Sequence, residues 1–259
     1  MPNWAMNKLE VTGKPENLRA FLNACVVDRE TRDYDADTKS LKTVVKPLFS
    51  LHGIVPMPEV LEDTRSPYAT SRMLRDAIQR EVPVFPEFPV CDDLSEDSLE
   101  QAKMIWDHFT AHYSEVAEEK TWLLSLFKEI EGNLRAFQET GYSNWYEWCV
   151  DHWGTKWDVS DDSTRIEDEN LDNGHLTVTF DTAWSAPEIW FKKAVEAYPS
   201  LSFALFACDP AMDWHIEIRG FDGGLTEYLP ATAREMADFW GIEDMYADEE
   251  EEDEEEVPV

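Results

Sequence analysis

Residues Trp145–Asp158 read WYEWCVDHWGTKWD, and the parsing of this stretch decides how the remainder of the chain is assembled. Four of the eleven Trp residues (Trp145, Trp148, Trp153 and Trp157) fall inside it. It reads as a helix, capped by Ser143 or Asn144, that stops at Gly154 and passes directly into a strand over Lys156–Ser160. A helix handed straight to a strand, with aromatic residues on both, is the signature of a helix packed on a sheet.

Downstream, Asp161–Gly174 is an acidic turn region. His175–Trp184 (HLTVTFDTAW) alternates Leu176, Val178 and Phe180 with Thr177 and Thr179, as a half-buried strand does. Pro187 opens a helix with the stripe Ile189, Trp190, Ala194 and Tyr198, and Pro199 ends it. Leu201–Cys208 and Trp214–Gly220 are two strands around Asp209-Pro210, and Gly223-Gly224 turns the chain into Leu225–Leu229. A short helix over Ala231–Trp240 precedes the tail.

Upstream, Asn7–Gly13 is a strand, and Leu18, Phe21, Leu22 and Cys25 follow at helical spacing after Pro15. Asp28–Lys42 is polar and reads as a loop, and Leu48–Val55 as a second strand. The grammar then becomes helical. Ser71–Arg80 is one helix. The stripe Leu99, Ala102, Ile105, Trp106, Phe109, Tyr113 and Val116 runs through Asp93–Glu119, with Ser95 as cap. Trp122, Leu123, Leu126, Phe127, Ile130, Leu134 and Phe137 continue it to a stop at Gly141. The expected organisation is an α+β domain from residues 1–60 and 141–240, a helical insertion over 61–140, and a disordered acidic tail over 241–259. The expected sheet is mostly antiparallel with helices on one face, close to the split βαβ arrangement.

Charge is the outlying property. The net charge is −33, and nine consecutive acidic residues, Asp248–Glu256, carry nine of those charges. Such a chain repels nucleic acid and anionic membrane and attracts basic surfaces, including those built to bind DNA. The candidate partner-binding residues are Asp161, Asp162, Glu167, Asp168, Glu169, Asp248, Glu249 and Glu250. Spaced carboxylates on a scaffold can imitate the phosphate array of DNA; an acidic surface kept for solubility has the same sequence. No run reaches eighteen apolar residues, and no apolar leader opens the chain, so a reducing cytoplasm with Cys25, Cys91, Cys149 and Cys208 as free thiols is expected.

Chemistry-bearing patterns are sparse. His108 and His112 share a helix face, but without a third ligand an exposed or capping pair is the better reading than zinc. Cys149 and His152 lack an orienting partner and an oxyanion site, which makes Cys149 a packed small hydrophobe. Neither a catalytic residue nor a cofactor or metal is expected. Lys156 and Asp158 share one strand face with Trp157 on the other. Together with Asp181 and Trp184 they form the candidate ligand-binding set, a small polar site with aromatic walls; the structural alternative is an ion pair and a Trp core that fix the helix–strand junction.

Several pieces together resemble the YubB-type ferredoxin-like domain family. They are Met1-Pro2-Asn3-Trp4 with Asn7 and Leu9–Gly13, the Pro56-Met57-Pro58 turn, Trp153–Asp158 and Phe180–Ser185. Two positions depart from the family pattern: Ala5 stands in place of Cys, and His152 in place of Asn. The resemblance covers residues 1–60 and roughly 140–220. It implies a ferredoxin-like fold without an iron–sulfur cluster, carried by phages and conjugative plasmids and without an assigned activity. It further implies a protein acting inside a bacterial cell on a basic host protein, such as a nucleic-acid-binding defence factor.

Overall fold

The computed structural model of the chain describes residues 3–35, 39–93 and 95–246, with residues 32–35 described by their backbone alone. Of the tail expected to be disordered over 241–259, residues 241–246 are placed, with a 3₁₀ turn over Glu243–Met245, and the remainder, Asp248, Glu249 and Glu250 included, lies outside the described residues. The chain divides into two compact units. One comprises Met1–Pro56 with Val150–Val259, the other Met57–Cys149. The division therefore falls after residues 56 and 149, against the expected 60 and 140.

In chain order the elements are β1 (Trp4–Thr12), α1 (Pro15–Cys25), β2 (Val26–Asp35), β3 (Ser40–Phe49), α2 (Glu59–Glu62), α3 (Ser71–Glu81), α4 (Glu96–His112), α5 (Ser114–Glu119), α6 (Thr121–Thr140), α7 (Trp145–Trp153), β4 (Arg165–Glu167), β5 (His175–Ala183), α8 (Glu188–Ala197), β6 (Ser202–Asp209), β7 (Trp214–Phe221), β8 (Gly224–Ala231) and α9 (Ala237–Trp240). The first unit is α+β. Its six-stranded sheet has the order β4-β5-β1-β6-β7-β8, with every neighbouring pair antiparallel.

Strand β1 is the spine of this sheet. Its residues alternate, with Ala5, Asn7, Leu9 and Val11 buried and Met6, Lys8 and Glu10 half-buried on the other face. The register extends this alternation sideways. Leu9 faces Val178 on β5 and Leu205 on β6, and Leu205 faces Ile218 on β7. Val11 likewise lies between Leu176 and Phe203. Helices α1 and α8 cover this face. Phe21 and Phe191 both meet the Phe203 ring edge-on, at 5.4 and 6.2 Å. The buried Asn7 amide donates to Ala5 O (2.9 Å), Phe180 O (3.2 Å) and Thr182 Oγ1 (2.9 Å), which ties β1 to β5 inside the core.

The opposite face is partly covered, which departs from helices on one face alone. Phe239 of α9 packs on Phe206 at 5.0 Å, and the ammonium of Lys8 lies 5.2 Å from the Phe239 ring centroid. Trp240 Nε1 donates to His215 Nδ1 at 3.1 Å. The expected helix over Ala231–Trp240 is confined to these last four residues, because β8 runs on to Ala231.

Three further expectations are corrected. Asp28–Lys42 is not a loop: β2 and β3 form a separate antiparallel hairpin in full register from Val26↔Phe49 to Asp35↔Ser40. Its arm is exposed or half-exposed along β3, and only Leu48 and Phe49 at its base are buried, so no apolar alternation marks it. Leu48–Val55 accordingly holds the end of β3 and a 3₁₀ turn over Leu51–Gly53. Lys156–Ser160 runs through bends rather than a strand.

The helical unit has its own core. Leu74 and Ile78 of α3, Ile105 and Phe109 of α4, and Leu123 and Ile130 of α6 are buried together, and the Trp106 and Phe127 rings stack at 5.2 Å. Ser95 caps α4 by accepting from Ser98 N (3.3 Å). The single helix expected over Asp93–Glu119 breaks at Tyr113, whose φ and ψ are −134° and 42°. Its ring there contacts Phe85 at 5.8 Å. None of the four cysteines is in a disulfide; Cys25, Cys149 and Cys208 are buried and Cys91 is half-buried. Burial pushes the Cys25 thiol far up, and burial with the neighbouring Asp209 and Asp213 pushes Cys208 up to about 12. No helix among the described residues is long and apolar enough to cross a membrane.

Two predictions follow from the packing. A Cβ on Gly53 would overlap the carbonyl oxygen of Ala24 and stand 2.7 Å from Cys25 Cα, with backbone on the far side of the clash. Gly53→Ala is expected to cost about 3 kcal/mol in denaturant unfolding, the upper range of an overpacked core. Burial lowers the pKa of His215, against an opposing pull from Glu217, and its Nδ1 must stay unprotonated to accept from Trp240. The unfolded chain binds this proton more readily, so stability present above an unfolded pKa of about 6.5 is lost as pH falls below it. Acidification should destabilise the wild type more than His215→Gln, read as the pH dependence of the unfolding midpoint.

Candidate functional site

The candidate site is the junction after α7. Asn144 caps this helix, its Oδ1 accepting from Glu147 N at 3.2 Å. The helix ends because Gly154 adopts φ +83°, the left-handed C-terminal conformation. The two tryptophan-containing motifs that flank this junction in sequence, Trp153–Asp158 and Phe180–Ser185, lock onto one another. Thr155 Oγ1 donates to Ala183 O (2.9 Å), and Ser185 Oγ donates to Gly154 O (2.6 Å). Trp153 Nε1 donates to Val55 O and Trp190 Nε1 to Leu51 O, both at 2.9 Å. Buried indoles thus combine apolar area with a satisfied donor.

Asp158 is the polar centre of the junction. Its Oδ1 accepts from Leu51 N and Val159 N, each at 2.8 Å. Its Oδ2 accepts from Ser50 Oγ (2.5 Å) and pairs with Arg29. Arg29 of β2 also reaches Asp161 at 2.6 Å. Burial would lower the pKa of Arg29, but the carboxylates of Asp158 and Asp161 hold it above its ordinary value. One carboxylate therefore gathers β2, the turn after β3 and the chain leaving α7. These bonds also bend Lys156–Ser160 away from strand geometry.

The other ligand-binding candidates lie around this hub without joining it. Lys156 Nζ stands 4.5 Å from the Trp157 ring centroid, and the Trp4 and Trp157 rings are 6.3 Å apart. Trp184 is 51% exposed, has φ +73°, and donates its N–H to Asn3 O at 3.0 Å. Asp181 pairs across the sheet with Met6, and burial raises its pKa against a hydrogen bond from Ser163. The arrangement offers a surface of half-exposed indoles with one cation beside it, while the Asp158 oxygens are engaged by the fold.

The acidic candidates divide in two. Asp161 is paired with Arg29, and Glu167 with Arg165 at 3.3 Å. Asp162, Asp168 and Glu169 are exposed, and among the described residues none pairs with a cation. They flank β4, an edge strand of the sheet. Arg29 and Arg165 are thus already held, and Arg19 pairs with Asp172 as well. In the helical unit the His108 and His112 rings stack at 4.2 Å, and His112 Nδ1 lies 3.0 Å from His108 O. Among the described residues no three His, Cys, Asp or Glu side chains gather as a metal site.

Sequence reading missed a cleft in the helical unit between α2 and α6, lined in part by Asn133, Gly132, Asp63 and Lys128. The Gly132-Asn133 pair, two poor helix formers in the middle of α6, was the signal available.

The hub predicts a large asymmetry between two neighbouring charges. Asp158→Asn leaves Arg29 without its main partner in a half-buried setting and should cost about 3 kcal/mol. Lys156→Gln removes a contact on an aromatic face and should cost only about 0.5–1 kcal/mol. Equilibrium denaturation of both variants checks the ratio.

No family model matches the sequence, and no curated protein matches it. A solved structure to which the chain is similar is the crystal structure of protein api92 from Yersinia pseudotuberculosis, described by the family model DUF1281; the two are 12% identical, the match covers 90% of this chain and 99% of that one, and the TM-score is 0.38.

Proposed function

We propose that this chain is a non-enzymatic, acidic interaction protein that binds a basic protein through exposed carboxylates. The observation that carries the reading is the state of the charges around β4. Arg19, Arg29 and Arg165 are engaged by Asp172, Asp161 and Glu167, and Asp162, Asp168 and Glu169 remain exposed and without cationic partners among the described residues. Carboxylates left in this way set the local potential and steer a positively charged partner. The net charge of −33 extends the same attraction over a longer range and disfavours direct contact with nucleic acid.

The reading extends to setting and fold. The YubB-type resemblance supports a mobile-element protein acting on a host factor in a bacterial cell, with DNA mimicry as the mode of inhibition when that factor binds DNA. A ferredoxin-like core is supported by the order β4-β5-β1-β6, with α1 following β1 and α8 joining β5 to β6, to which β7 and β8 are appended. The alternative of a ligand pocket at Lys156, Trp157, Asp158, Asp181 and Trp184 is less favoured, because Asp158 already accepts four hydrogen bonds or ion pairs from the fold.

The test is capture of a basic protein from bacterial lysate on the immobilised chain at about 0.05 M and about 0.5 M salt, where the screening length falls severalfold. The expected result is a partner held at low salt, released at high salt, and bound at least about tenfold more weakly when Asp162, Asp168 and Glu169 are changed to Asn, Asn and Gln and residues 248–256 are removed. Capture that ignores both salt and these changes would refute the proposal. Competition by duplex DNA would identify mimicry; its absence would identify a different basic surface on the partner.

A further inference from the structure

We propose a second, independent site in the helical unit: a cleft between α2 and α6 that takes a small zwitterionic amide, an amino acid with an amide side chain or a dipeptide. Two adjoining cavities of about 280 and 650 Å³ form it, sharing Val60, Asp63 and Gly132 in their walls.

The first observation is Asn133. It is 0% exposed, lines the smaller cavity, and among the described residues neither its Nδ2 nor its Oδ1 has a hydrogen-bond partner. A buried primary amide with both ends open is costly, and native interiors leave few such groups without a reason. The second observation is Gly132. It lies in the interior of a 20-residue helix, where glycine is disfavoured, and a Cβ there would meet nothing within 4 Å. Tight packing therefore does not call for glycine at this point. Its effect is to keep the wall shared by the two cavities open.

The rim supplies the charge pattern. Arg65 is paired with Glu129 at 3.7 Å and Arg135 with Glu139 at 2.8 Å. Lys128 and Asp63 line the smaller cavity, are exposed, and have no ionic partner among the described residues. A ligand complementary to these groups carries a carboxylate for Lys128 and an ammonium for Asp63. It also carries a paired carbonyl and N–H for the Asn133 amide, which can donate and accept at once. The smaller cavity is near the lower end of the roughly 300–1,000 Å³ typical of ligand sites, a size suited to an amino acid or dipeptide rather than a nucleotide or polymer. The carboxylates Glu59 and Asp63 also disfavour a phosphate-bearing occupant.

The experiment is calorimetric titration of the full chain with L-glutamine and with glycylglycine, using adenosine monophosphate and inorganic phosphate as contrasting probes. Saturable binding of glutamine or glycylglycine is expected. Asn133→Leu and Gly132→Leu should each weaken it at least about tenfold, the scale set by a site built to hydrogen-bond its ligand. Lys128→Gln and Asp63→Asn should weaken it as well. Asn133→Leu should also raise the thermal unfolding midpoint, because it removes an unpartnered polar group from the interior. That readout separates loss of the site from loss of the fold. Absence of binding by both amides, binding that survives Asn133→Leu, or preference for the nucleotide would each overturn the proposal. These substitutions leave Asp162, Asp168 and Glu169 in place, so the outcome is distinct from that of the acidic surface.

Discussion

A carboxylate can leave bulk water only where donors replace the solvent, and Asp158 meets that condition by recruiting three separate stretches of the sheet unit. Two backbone N–H groups, a buried serine hydroxyl and one guanidinium converge on it. None of these donors is local except Val159 N. Asp158 thereby ties the turn at Ser50-Leu51 and the hairpin carrying Arg29 to the chain that leaves α7 at Gly154. The indole donors of Trp153 and Trp190 reach Val55 and Leu51, on either end of that same turn. A chain made acidic throughout can still use a carboxylate as an internal fastener, provided that this one is supplied with a cation and the rest are left to solvent.

Much of the sheet unit could be read from period alone, because β1, α1 and α8 each bury one face more completely than the other, and β5 alternates Leu176, Val178 and Phe180 with threonines. The sequence is less informative wherever burial does not alternate. Strand β3 of the hairpin is exposed or half-exposed over most of its length, so its residues carry no apolar alternation, and Leu48 and Phe49 at its end are the buried exceptions. Lys156–Ser160 has the composition of a strand, and tertiary hydrogen bonds to Asp158 override that local preference. The break at Tyr113 is equally invisible, since the apolar stripe of α4 passes through it into α5, and the Tyr113 ring contacts Phe85 at the break.

The candidate sites show the same division. The residues of the tryptophan motifs meet in the fold, Thr155 on Ala183 and Ser185 on Gly154, but the sequence could not show that Asp158 faces inward to the turn. Lys156 and Trp157, expected on opposite faces of a strand, instead lie together, because the chain bends there and brings the ammonium over the ring, while Trp184 is half-exposed. Asn133 passed unnoticed among Ile130, Leu134 and Phe137, the apolar positions of its own helix. A polar residue on a core stripe is an ordinary occurrence, and only the lack of a partner gives it meaning.

The four thiols add a property of a different kind. Cys25 and Cys208 sit in the sheet unit, whereas Cys91 and Cys149 sit in the helical unit, and in each case the sulfur is at least partly shielded. A buried thiol, such as Cys25 and Cys208 in the sheet unit or Cys149 in the helical unit, reacts only when the structure around it opens. The chain therefore carries a native clock in each unit: the rate at which each sulfur becomes available to a reagent measures how often that part of the molecule breathes, without any label having to be introduced.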